Sequence, residues 1–99
     1  MSDAEVLKML RIAYHNYERK DVANIIGVTT AYLNEVERGK KRISIGIIQR
    51  LAGLYNVTSL GLTRLFRELG SYDISKSDDY QKALMKILTF FSENKLAGN

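Results

Sequence analysis

Apolar residues recur at helical spacing through most of the chain, and small polar residues and glycines cut the pattern into six segments. Val6, Leu7, Leu10, Ala13 and Tyr14 form one stripe, which predicts a helix from Asp3 to about Tyr14. Asp3 and Glu5 then sit favourably near its positive end. His15 to Glu18 make a turn, and Val22, Ala23 and Ile26 predict a short helix over Arg19–Ile26. Gly27 follows, where a chain turning sharply after a helix wants positive φ. Val28 plugs the corner, and Thr29 is an N-cap for a third helix with Leu33 and Val36 on its inner face. Gly39 ends that helix. Ser44 caps a fourth, which runs to about Tyr55 with Ile45, Ile48, Leu51, Ala52 and Tyr55 inward. Gly46 and Gly53 weaken it by roughly 1 kcal/mol each relative to Ala, so it depends on tertiary packing. Thr58 caps a fifth helix with Leu62, Leu65, Phe66 and Leu69 inside.

Gly70 to Ile74 form a linker. Ser75 or Ser77 then caps a sixth helix with Asp78 and Asp79 in its first turn. Its main stripe is Tyr80, Leu84, Ile87, Leu88 and Phe91, broadened by Ala83, Met85 and Phe90. That is more apolar surface than a lone tail helix leaves in water. The helix therefore either packs on its own domain or meets a partner, and a second copy of the chain is the preferred partner. The expected architecture is all-α: a five-helix domain over residues 1–70, then a linker and an amphipathic packing or dimerisation helix over residues 71–99.

Two short helices joined by a tight glycine turn, Arg19–Ile26 and Thr29–Arg38, match the helix-turn-helix, whose second helix enters the DNA major groove. Val22-Ala23, Gly27-Val28, Tyr32-Leu33 and above all Val36-Glu37-Arg38-Gly39-Lys40 resemble the lambda-repressor/Cro-like (Xre-type) family. Leu7, Leu10 and Arg11 before the motif, and Ser44-Ile45, Leu51-Ala52 and Asn56-Val57-Thr58 after it, extend the resemblance over roughly residues 5 to 69. The turn before the motif departs from the family, offering Asn16, Tyr17, Glu18 and Arg19 in place of Gly, an apolar residue, Ser or Thr, and Gln. Tyr17 can serve as the apolar residue. Glu18 is a poorer N-cap than Ser, which leaves Asn16 as the alternative cap. Arg19 can bond a phosphate with a full charge where the family uses glutamine.

The resemblance implies a role for each remaining residue. Arg11 pairs with Glu37 and ties the first helix to the third, fixing orientation more than adding net stability. Thr30, Ala31, Asn34 and Glu35 face outward and read base edges. The methyl groups of Thr30 and Ala31 suit thymine, Asn34 suits adenine, and Glu35 either accepts from cytosine N4 or pairs with Arg38 or Arg19. Arg19, Tyr32, Arg38, Lys40, Lys41 and Arg42 contact phosphates. The sixth helix lies outside the region of resemblance, and its apolar stripe alone offers Tyr80, Leu84, Ile87, Leu88 and Phe91 as a dimerisation or partner surface.

Charge supports this picture more by position than by amount. The net charge is +4 over 99 residues. Arg38, Lys40, Lys41, Arg42 and Arg50 share a window that contains no acid, directly after the recognition-like helix. The chain has no Cys and one His, His15, which reads as an exposed turn residue. No Gly-rich phosphate loop is present, and Asp78-Asp79 reads as a helix start. These residues cannot be arranged into an active site, a metal centre or a cofactor site. No apolar run approaches membrane-spanning length. The sequence therefore predicts a DNA-binding regulator of bacterial or phage type, most simply a dimeric repressor acting on double-stranded DNA in the cytoplasm, at the nucleoid. The rival reading is an antitoxin-like or antirepressor protein whose C-terminal helix holds a protein partner.

Overall fold

The computed structural model describes residues 1–13, 18–41 and 43–94. Six helices occur in them, α1 (Asp3–Ala13), α2 (Arg19–Ile26), α3 (Thr30–Glu37), α4 (Ile45–Tyr55), α5 (Ser59–Leu69) and α6 (Ser77–Asn94), and no strand. Tyr14, His15, Asn16, Tyr17 and Arg42 lie outside the described residues, so the expectations placed on them have no structural counterpart.

Local chemistry sets most of the helix ends. Glu5 N–H donates to Ser2 Oγ at 3.2 Å while Ser2 N–H donates to Glu5 Oε1 at 2.9 Å, a reciprocal capping box that satisfies two otherwise orphan donors. Thr29, Ser44 and Thr58 cap α3, α4 and α5 by accepting from the N–H groups of Tyr32, Ile47 and Gly61. Glu18 stands at the N-cap of α2 without a side-chain capping bond, in keeping with its being a poorer cap than Ser. Gly27 ends α2 at φ 76°, a left-handed conformation that costs glycine least.

One continuous core joins all six helices, with Leu7, Leu10, Leu33, Leu51, Leu62, Leu65, Leu69 and Ile87 fully enclosed. Within α4 the inward residue of the first turn is Ile47, and Ile45 is 75% exposed, which corrects the expected stripe. The Ser44 cap sets the phase: Ile47, Leu51 and Tyr55 fall four residues apart on one face, and Ile45 falls off it.

Helix α6 packs against α1 and α5 of its own chain. Ala83, Ile87, Phe90 and Phe91 are buried there, Leu84 is half-buried, and Tyr80, Met85 and Leu88 stay exposed. The Phe91 ring meets Tyr55 edge-on at 5.3 Å and Phe90 at 5.2 Å between centroids. Phe90 comes close to α5 over Gly61, where an added Cβ would lie 3.5 Å from its ring. Ile87 and Phe91 therefore belong to the core and not to a partner-facing surface. The sequence placed them with Tyr80 and Leu88 because a stripe that wide covers two faces of the helix.

The linker is held by Asp73, whose Oδ1 accepts from the hydroxyl and N–H of Ser75, while Asp73 N–H donates to Asp79 Oδ2 at 2.9 Å. The Ser75 hydroxyl, one of the two expected caps of α6, is thus turned toward Asp73. Those bonds from Ser75, hydroxyl first and backbone second, hold the Asp73 carboxyl below its ordinary value.

Candidate nucleic-acid interface

Helix α3 projects from the core along one edge. Leu33 and Val36 are buried, and the opposite side presents Thr30 and Ala31 to solvent, with Asn34 and Glu35 partly exposed beside them. The four residues expected to read bases thus share one face. Its orientation is set by the turn before it, where the Val28 N–H returns to Ala23 O at 2.9 Å and Val28 packs against the core. Arg50 of α4 adds a clasp that sequence reasoning placed only in the basic cluster. Its Nη1 donates to Ile26 O at 3.0 Å, satisfying a carbonyl at the end of α2 that has no partner within its own helix.

From below, the helix is held by Glu37. Arg11 Nε lies 3.1 Å from Glu37 Oε2, and Arg11 Nη2 donates to Oε1 at 3.1 Å, a two-bond fork between α1 and α3. The Glu37 carboxylate is 3% exposed. Arg19, at the start of α2, adds a second cation on the same carboxylate, with Nε 3.3 Å from Oε1. Its Nη1 also donates to Asn34 Oδ1 at 3.1 Å. Arg19 itself stays 43% exposed, so it is both an internal strut and a surface cation.

The cationic strand after α3 begins at Arg38, the C-cap, and turns through Gly39 at φ 78°. Arg38, Lys40 and Lys41 are all exposed there. Lys41 Nζ lies 3.2 Å from Glu35 Oε2 and 5.1 Å from the centre of the Tyr32 ring. Glu35 therefore pairs with Lys41, where Arg38 and Arg19 were the expected partners. The chain reverses at Gly39 and brings Lys41 back alongside α3, a return that helical spacing does not reveal.

A face of this kind, an exposed helix on a short glycine turn flanked by unpaired or loosely paired cations, defines a helix-turn-helix DNA-binding domain. The family model described as Helix-turn-helix matches residues 7–71, and the chain belongs to that family, the Xre or lambda-repressor-like helix-turn-helix proteins. It is a family of DNA-binding regulatory domains and not of enzymes, and the protein is a DNA-binding transcription regulator. No curated protein and no solved structure matches the chain. No helix among the described residues is long and apolar enough to cross a membrane. Among those residues, no group of three or more His, Asp or Glu side chains could hold a metal ion.

Proposed function

We propose that the protein is a repressor that occupies a two-fold operator as a dimer and acts at the nucleoid of a bacterial or phage-infected cell. Thr30, Ala31, Asn34 and Glu35 read base edges in the major groove, while Arg19, Tyr32, Arg38, Lys40, Lys41 and Arg42 grip phosphates on either side. The observation that carries this reading is the free outer face of α3. Among the described residues Thr30 and Ala31 stay exposed, and the exposed cations Arg38, Lys40 and Lys41 border that face.

The dimer reading rests on Tyr80, Leu84 and Leu88. They repeat every four residues along α6 and leave a partly exposed apolar row outside the core. One straight row of that kind is self-complementary about a two-fold axis, the commonest symmetry of soluble oligomers. Selection of bound sequences from a random DNA pool tests the function. It should enrich a two-fold motif with half-sites about 34 Å, one helical turn, apart. A pool that shows no enrichment removes the reading.

One observation favours a second reading. A groove of about 540 Å³ runs between α1 and α6, lined by Met9, Ile12, Ala13, Ile74, Tyr80 and Leu84 together with the charged residues Glu5, Lys8 and Glu37. In an antitoxin-like or antirepressor protein it would seat an apolar segment of a protein partner. A stable complex with a co-encoded protein, together with an unenriched DNA pool, is the result that favours this alternative.

A further inference from the structure

Tyr80, Leu84 and Leu88 occupy one narrow strip of α6, whereas a stable interface takes about 800 Å² from each partner. A dimer contact centred on them must therefore spread to one side of the helix. Toward α5, the neighbouring groove is lined by Arg64, Glu68, Lys86 and Glu93, charged groups that resist losing water. Toward α1, apolar surface continues. Met9, Ile12 and Ala13 line the 540 Å³ groove with Ile74, Tyr80 and Leu84, and Ile12 is 48% exposed. Burial favours the α1 side.

The charges on the α1 rim narrow the choice of partner. Glu5 and Lys8 both line the groove, about one turn apart on α1 and opposite in sign. Neither forms an ion pair among the described residues, and Glu5 Oε1 accepts from a neutral donor, the Ser2 N–H. About a two-fold axis, residue i of one copy meets residue j of the other, and j meets i. An axis through the groove sets Glu5 against Lys8 of the second copy and Lys8 against its Glu5. A different protein would have to supply a matching pair of charges, whereas a second copy carries it by symmetry.

We infer that α1 forms the second half of the dimer contact: α1 and α6 of one copy pack on α1 and α6 of the other, with Ile12 beside Leu84 at the apolar centre and Glu5 and Lys8 pairing reciprocally across the axis. The inference rests on the dimer proposed above and adds residues that the α6 row does not contain. Because Arg11 of α1 grips Glu37 of α3, a contact on α1 also fixes the separation of the two reading helices with few elements between.

Charge reversal on the full chain tests it, read by light scattering over a range of concentrations. Glu5→Lys and Lys8→Glu each turn two attractions into two repulsions, so each alone should weaken the dimer about tenfold or more. An equimolar mixture of the two variants should recover it, because the mixed dimer has both pairs of opposite sign. The double variant Glu5→Lys with Lys8→Glu should recover it as well. Ile12→Glu should give a folded monomer. Unchanged melting temperature identifies properly folded variants. Should Glu5→Lys fail that check through loss of its cap on α1, Glu5→Gln keeps the capping acceptor, and adding it to Lys8→Glu should restore part of the lost affinity. The inference is overturned if the wild type is a dimer that Tyr80→Ser with Leu88→Glu dissociates while Ile12→Glu and both reversals leave it intact. It is equally overturned if the reversals weaken the dimer and neither the mixture nor the double variant recovers it. A monomeric wild type overturns it at an earlier step, by removing the dimer itself.

Discussion

Glu35 and Lys41 form a surface ion pair at 3.2 Å across the turn that ends the recognition helix, and the same ammonium rests over the ring of Tyr32. Both side chains are about half exposed, so the pair adds little to stability. Its consequence is for binding, because a cation next to the DNA-facing helix is partly neutralised. Glu35→Gln should release Lys41, tighten binding to operator and scrambled DNA alike, and steepen the salt dependence by up to about 0.9 in log K per log salt in each protomer. A change confined to one base pair, with the slope unaltered, would show that Glu35 reads a base directly.

Glu37 is the enclosed centre of its network, and Arg19 lies at its edge. Glu37→Ala leaves Arg11 buried without its carboxylate and should cost roughly 3 kcal/mol of unfolding free energy. Arg19→Ala removes a half-exposed cation and should cost less than about 1 kcal/mol. Urea unfolding of the two variants measures the difference. Equal losses would contradict the assigned burial.

Arg50 ties α4 to the end of α2 and so holds the turn that aims α3. Arg50→Ala should lower stability by about 1–2 kcal/mol through the lost charged hydrogen bond. The denaturation midpoint should shift without a change in m. An unchanged midpoint would mean that the Ile26 carbonyl is satisfied equally well by water.

Two helix glycines should respond oppositely to alanine. At Gly53, in α4, an added Cβ meets nothing within 4 Å, so Gly53→Ala should stabilise the protein by about 1 kcal/mol. At Gly61, in α5, it would lie 2.9 Å from Thr58 Oγ1, so the α5 cap must shift, while the Phe90 ring at 3.5 Å is in ordinary contact. Gly61→Ala should therefore lower the melting temperature while Gly53→Ala raises it.

The outer row of α6 can be tested apart from its core face. Tyr80→Ser with Leu88→Glu should turn a dimer into a folded monomer in light scattering, because both side chains are exposed. Ile87→Asp should instead unfold the chain, since it buries an unpaired charge. A wild type that is monomeric at concentrations on the order of tens of micromolar would remove the row as a dimer contact.

The helices, the caps of α3, α4 and α5 and the turn glycine were legible in the sequence because each depends on neighbours within about four residues. Thr29, Ser44, Thr58 and Gly27 act through bonds of that range, and the inner faces of α3 and α5 follow from periodicity alone. The pairing of Arg11 with Glu37 was legible through family resemblance, which carries long-range information that local patterning lacks. What the tertiary structure decided lies between elements. It put Ile47 inside in place of Ile45, divided the broad stripe of α6 into a buried face and an exposed row, and returned Lys41 to Glu35. It also set Arg50 on the Ile26 carbonyl and Arg19 on Asn34, joining residues 24 and 15 positions apart. Long side chains find such partners only after the helices have docked, because their reach exceeds one helical turn and their targets belong to other elements. The residue types on the outer face of α3 are therefore a property of the sequence, and the partners that their side chains meet are a property of the fold.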